Sequence, residues 1–106
     1  MSQQNFTRTG ANGEGIVSDG GVSRTLDVTT ATVIKASSGR VCNVNVIVAG
    51  STAGTVNDVA TTGGAAAANQ VATIPDAVGN YSIQMPCLTG IVVVPGTGQT
   101  VAVSYI

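Results

Sequence analysis

From Leu26 to the C-terminus, β-branched runs are cut by Gly, Pro, Ser or Asn every ~8 to 12 residues, a rhythm too short for helices and typical of a sandwich or barrel. The inventory agrees, because 38 Val, Thr and Ile residues stand against 4 Leu, Glu and Lys together. Val, Ile and Thr suit a pleated surface, whereas Leu, Glu and Lys are among the better helix formers. The expected fold is all-β, a single antiparallel sandwich of about 7 or 8 strands.

The individual runs can be placed from their turns. Leu26 to Ala36 reads as strand with an interruption near Thr30-Ala31, and Ser38-Gly39 is a tight turn into Arg40 to Val48. There Cys42, Val44, Val46 and Val48 alternate with Asn43 and Asn45, and the two runs read as a hairpin. Thr55 to Thr61, with Val56 and Val59 as weaker anchors, is expected near an edge. Ala65 to Ala68 is the one helix-leaning stretch, too short for more than a turn or a crossing loop. Strands return at Gln70 to Ile74, at Asn80 to Met85 and at Gly90 to Val94, closed by Pro75, Pro86 and Pro95, where a residue without a ladder donor is tolerated. Pro95-Gly96-Thr97-Gly98 is a turn, and Gln99 to Ile106 forms the last strand with Val101, Val103 and Tyr105 on one face. Ile91-Val92-Val93-Val94 lacks alternation, so both its faces are covered, either inside the sandwich or by another subunit.

Residues 1–25 hold five Gly and few large apolar side chains, and burial there does not offset the entropy of ordering. They are assigned to an extended, flexible N-terminal arm, leaving 26–106 as the sandwich domain. Phe6, Ile16 and Val17 are isolated apolar points on this arm, Arg8 and Arg24 its cations, and these five residues are the candidate partner contacts.

Chemistry is sparse. The 106 residues include no His and no Trp, 9 charged side chains and a formal net charge of −1. The carboxylates Glu14, Asp19, Asp27, Asp58 and Asp76 are scattered, and Cys42 and Cys87 stand 45 positions apart, so no metal site is expected. Cys42 reads as a buried free thiol, with a bridge to Cys87 left open. Lys35 is the sole candidate base for Ser37 or Ser38, at a spacing that fits no Ser-Lys arrangement, and Gly10, Gly13 and Gly15 lack the strand and helix of a nucleotide site. The expectation is no enzyme and no cofactor. Four Lys and Arg residues cannot neutralise many phosphates, which argues against nucleic acid, and no apolar run approaches a membrane span. Met1 to Phe6 has neither the charge nor the apolar run of a signal peptide, so synthesis in a cytoplasm is expected. A surface with 8% charged residues, against about 25% in typical domains, is weakly protected against association, and a homo-oligomer (dimer or trimer) is expected.

Four segments carry a resemblance. They are Val33-Ile34-Lys35-Ala36-Ser37-Ser38-Gly39-Arg40-Val41, the Ala-rich crossing from Ala65 to Gln70 ahead of Ala72-Thr73-Ile74-Pro75, Gly90 through Gly98, and Val101-Ala102-Val103-Ser104-Tyr105. Together they resemble the small virion proteins of tailed bacteriophages, the head decoration or cement proteins and related fibre modules, over about residues 26–106. The resemblance implies a jelly-roll-like sandwich on the capsid exterior, bound to the major capsid protein and stabilising contacts between capsid subunits. The alternative is a receptor- or carbohydrate-binding module of a phage fibre or tail, against which the short aromatic inventory of Phe6, Tyr81 and Tyr105 weighs.

Overall fold

The computed structural model describes residues 20–106, together with the backbone of two short strands, β1 (Arg8–Thr9) and β2 (Gly15–Ile16), which pair antiparallel with Arg8 opposite Ile16. Eight further strands make the body: β3 (Ser23–Val28), β4 (Thr32–Lys35), β5 (Gly39–Val48), β6 (Gly54–Asn57), β7 (Gln70–Ile74), β8 (Gly79–Cys87), β9 (Ile91–Val94) and β10 (Thr100–Tyr105). They form two four-stranded antiparallel sheets in the orders β3-β10-β5-β8 and β4-β9-β6-β7. Successive strands alternate between the sheets except at β6–β7, and the order of each sheet is that of a jelly roll.

The core lies between the sheets and is built almost wholly from β-branched side chains. Val28, Val41, Val44, Val46, Val101 and Val103 come from the first sheet, and Ile34, Val56, Ile74, Ile91 and Val93 from the second. Val71, Ala72, Tyr81, Ile83 and Tyr105 pack at its margin. Stiff χ1 rotamers make these side chains cheap to order on a pleated surface, which is how a chain poor in Leu and aromatics still closes a core.

The strand limits follow the turn residues except at β6, which ends at Asn57 and leaves Val59 outside it, and the pairing differs from the sequence expectation in four places. The runs on either side of Ser38-Gly39 are not a hairpin: β4 pairs β9 in one sheet, while β5 pairs β10 and β8 in the other. The Thr55 strand is not at an edge, since β6 is flanked by β9 and β7 and Val56 is fully buried. Pro86 does not close its strand but sits inside β8 opposite Arg40. This is tolerated because β8 is an edge strand, with an open side on which no ladder donor is required. Finally, the sandwich begins before residue 26. Val22 N–H donates to the Tyr105 carbonyl at 3.1 Å, and Ser23, Arg24 and Thr25 pair with Tyr105, Ser104 and Val103, so the last residues assigned to the arm belong to β3.

Bulges set which side chains face inward. On β5, Val41 stands opposite Tyr105 and Asn43 opposite Ser104, leaving Cys42 without a counterpart on β10. On the other side β8 absorbs the irregularity with Gln84 in the left-handed region at φ 52°, its side-chain amide donating to the Cys42 carbonyl at 3.3 Å. Inward alternation therefore changes phase at Cys42. Val41, Val44 and Val46 enter the core cluster, Cys42 is buried outside it, and Val48 is left 49% exposed, a correction to the single Cys42-to-Val48 face read from the sequence.

β9 resolves the other ambiguity. Ile91 and Val93 enter the core, while Val92 is equally buried on the opposite face without any second subunit. The crossing between β6 and β7, with its two 3-10 turns Thr62–Gly64 and Ala67–Asn69, brings Ala65, Ala66 and Ala67 beside Thr55, Asn57 and Val94 on that face. Asn57, itself buried, donates from its amide to Thr55 Oγ1 at 3.0 Å and to the Val92 carbonyl at 3.5 Å.

The end of the sandwich carrying the β5–β6, β7–β8 and β9–β10 connections is fastened by Gln99, 1% exposed. Its Nε2 donates to the Pro75 carbonyl at 2.7 Å and its Oε1 accepts from Gly96 N–H at 3.0 Å. Thr52 Oγ1 accepts from Thr97 N–H at 2.8 Å, and the backbones approach so closely that a Cβ on Gly96 would overlap the Thr52 carbonyl oxygen.

Candidate functional site

Of the five residues singled out as partner contacts, the structure describes the side chain of Arg24 alone. Arg8 and Ile16 are brought opposite each other by backbone pairing, and Phe6 and Val17 lie outside the described residues. Arg24 is exposed on β3, an edge strand, where pairing sets it beside Ser104 of β10; Ser104 in turn faces Asn43 of β5, and Asn43 faces Ser82 of β8. One step along the strands, Ala102, Asn45 and Asn80 form a parallel row. These rows make the outer face of the β3-β10-β5-β8 sheet.

Two adjoining depressions lie on this face. One, of about 170 Å³, is lined by Arg24, Leu26, Asn43, Asn45, Asn80, Ala102 and Ser104 with the edge of Val103. The second, of about 310 Å³, is bounded by Gly20 to Arg24 and Ser104, so Arg24 and Ser104 form the wall between them. Leu26 supplies an apolar rim, 55% exposed, because the β3 bulge places both Leu26 and Asp27 opposite Ala102, with Asp27 at φ 57°.

At the opposite end from Gln99, Asp58 fixes the β8–β9 turn. Its Oδ2 accepts from Leu88 N–H at 3.0 Å and its Oδ1 from Thr89 N–H at 2.8 Å and Gly90 N–H at 3.2 Å. The amides of Leu88 and Thr89 hold the carboxyl below the ordinary carboxylate range; desolvation opposes them by less than either, and the amide of Gly90 adds a still smaller lowering. The turn so fastened presents Leu88, 79% exposed, more than any other described large apolar side chain. Nothing in the sequence marks this pairing of Asp58 with a turn 30 residues away.

The nucleophile candidates are placed differently. Lys35 Nζ donates to the Ile106 carbonyl oxygen at 3.2 Å, which engages it at the end of β10. Cys42 and Cys87 are both buried free thiols, and burial together with the nearby Asp58 charge pushes Cys87 up to about 11. Among the described residues no three of His, Cys, Asp and Glu come together, and no helix is long and apolar enough to cross a membrane.

Comparison with known proteins finds no matching family model, no similar curated protein and no similar solved structure.

Proposed function

We propose that this protein is a bacteriophage capsid decoration protein, attached to the outside of the head and strengthening contacts between subunits of the major capsid protein. The observation that carries the reading is the balance of the exposed surface. Eight large apolar side chains are exposed (Val22, Leu26, Val33, Ile47, Val48, Val78, Met85 and Leu88), against six charged residues in all of 20–106: Arg24, Asp27, Lys35, Arg40, Asp58 and Asp76. With so few charges, such a surface is weakly protected against association and is suited to lie against other protein.

Leu88 is the natural anchor in this reading. A protruding side chain on a turn already fastened by three hydrogen bonds loses little freedom on docking, so most of its burial appears as affinity. Residues 1–19 add apolar points and Arg8 that engage the shell as further contacts acting together.

The test is addition of the purified chain to phage heads lacking it. The reading expects antibody-labelled particles decorated on the head in electron micrographs, with DNA released at a higher temperature than from bare heads. Leu88→Asp should lower occupancy at a protein concentration that saturates the parent. Label confined to tails, or heads neither decorated nor stabilised, overturns it.

A further inference from the structure

The described carboxamides fall into two groups. Asn57, Asn69, Gln70, Gln84 and Gln99 each have a side-chain hydrogen bond inside the fold. Asn43, Asn45 and Asn80 have none to any described residue, and all three converge on the depression of the outer sheet face. Asn43 and Asn45 are half-buried and Asn80 is exposed, so this convergent set of carboxamides is available to bond an external ligand in place of water.

Their arrangement narrows the ligand. Asn45 and Asn80 are cross-strand partners, Asn43 lies two positions along β5, and Ser104 faces Asn43. This gives a grid with rungs of ~5 Å and steps of ~7 Å. Each carboxamide offers two donors and an acceptor, which suits a ligand whose groups both donate and accept, as sugar hydroxyls do. Leu26 and Ala102 provide apolar surface for the C–H face of a ring. The 170 Å³ depression is open on the sheet face, and the neighbouring 310 Å³ depression continues it past Arg24.

Arg24 fixes the charge. Arg24 lines both depressions, and among the described residues no carboxylate lines either. The geometry points to a binding site for an acidic oligosaccharide: one ring rests on Leu26 and Ala102 with its hydroxyls on Asn43, Asn45 and Asn80, and a uronate carboxylate of the chain pairs with Arg24. The site shares Leu26 and Arg24 with the surface assigned to partner contact but does not use the Leu88 turn, so Leu88→Asp separates the two readings.

The test is an amide and side-chain NH₂ chemical-shift titration of the full-length isotope-labelled protein with oligogalacturonate and with a neutral galacto-oligosaccharide of equal length. Expected are saturable shifts from oligogalacturonate confined to residues 20–26, 43–45, 80 and 102–104, including the three Asn side chains. Neutral-oligomer binding should be about tenfold weaker or more, and Arg24→Gln should erase that difference. Asn45→Ala should weaken both ligands. Because the map is read on the parent protein, it holds even if a variant misfolds. Absence of shifts at millimolar oligosaccharide, shifts centred elsewhere, or equal affinity for the two ligands overturns the assignment, while head binding is read separately from the Leu88→Asp variant.

Discussion

Replacing Gln99 with Ala should be among the most damaging single changes outside the valine core. The side chain is 1% exposed and bridges two connections, through the Pro75 carbonyl at 2.7 Å and Gly96 N–H at 3.0 Å. Gly96 is buried, so its amide would lose its acceptor with no water to replace it, at about 1–3 kcal/mol. Pro75 is exposed and its carbonyl can rehydrate, so that loss is nearer ~1 kcal/mol. The void left by the truncated side chain adds to both, and the sum is about 3 kcal/mol, a large share of the ~5–15 kcal/mol that holds a domain together. Urea unfolding followed by circular dichroism should show the midpoint falling with an unchanged slope, and Tm should fall by ~12–24 °C at ~4–8 °C per kcal/mol. Gln99→Glu is the informative companion. As a carboxylate it places lone pairs against the Pro75 carbonyl; protonated, it restores a donor. Burial and that carbonyl raise its pKa in the folded protein above the unfolded value of ~4.3, so the variant is most stable below that value and weakens as pH rises through the folded one. A loss below ~1 kcal/mol for Gln99→Ala, or a pH-independent Gln99→Glu, would refute the bridge.

Asp58 works with the opposite sign: its carboxyl is held below the ordinary carboxylate range, so its contribution is complete above that range and is lost as pH falls through the folded value. Parent stability should drop below pH ~4 more steeply than that of Asp58→Ala, which should lose about 1 kcal/mol at neutral pH, comparable to removing a helix N-cap. The two thiols should resist alkylation at pH 8 in the native protein and react together on unfolding, because both are buried and Cys87 is held up to about 11; rapid native labelling would contradict their placement. Deleting residues 1–19 should leave the β-sheet spectrum and Tm of the sandwich nearly unchanged. Deleting 1–24 should cost several kcal/mol by removing the Val22 bond and the Ser23 and Arg24 rungs on β10, as thermal unfolding of the two truncations would show.

The strands were legible because Gly, Pro and Ser punctuate them and because β-branched residues have few other uses in so short a chain. Gln70–Ile74 is delimited by Asn69 before it and Pro75 after it, and Ile91–Val94 by Gly90 and Pro95, so local chemistry alone sets their limits. Partners were less legible. The tight turn at Ser38-Gly39 reads as a hairpin by local rules, yet a jelly roll sends successive strands to opposite sheets, and only burial of both sheets' inner faces decides between the two. Phase was lost for a related reason. Alternation from Cys42 to Val46 is unbroken in the sequence, and the bulge that takes Cys42 out of that face and brings Val41 in depends on β10 and β8, distant in the chain.

The same logic explains why the candidate groove could not be read from the chain. Arg24 falls in a Gly-rich stretch that composition assigns to an arm, and Asn43 and Asn45 appear only as the solvent side of an alternating strand. Each is unremarkable by itself. It is the insertion of β10 between β3 and β5 that places Ser104 next to both Arg24 and Asn43, and the β3 bulge that sets Leu26 against Ala102 at the groove's rim. Because sheet order and bulge position create the constellation, a substitution that leaves all lining residues intact but alters the β3 bulge, such as Asp27→Val at φ 57°, should disturb the groove as surely as loss of Arg24.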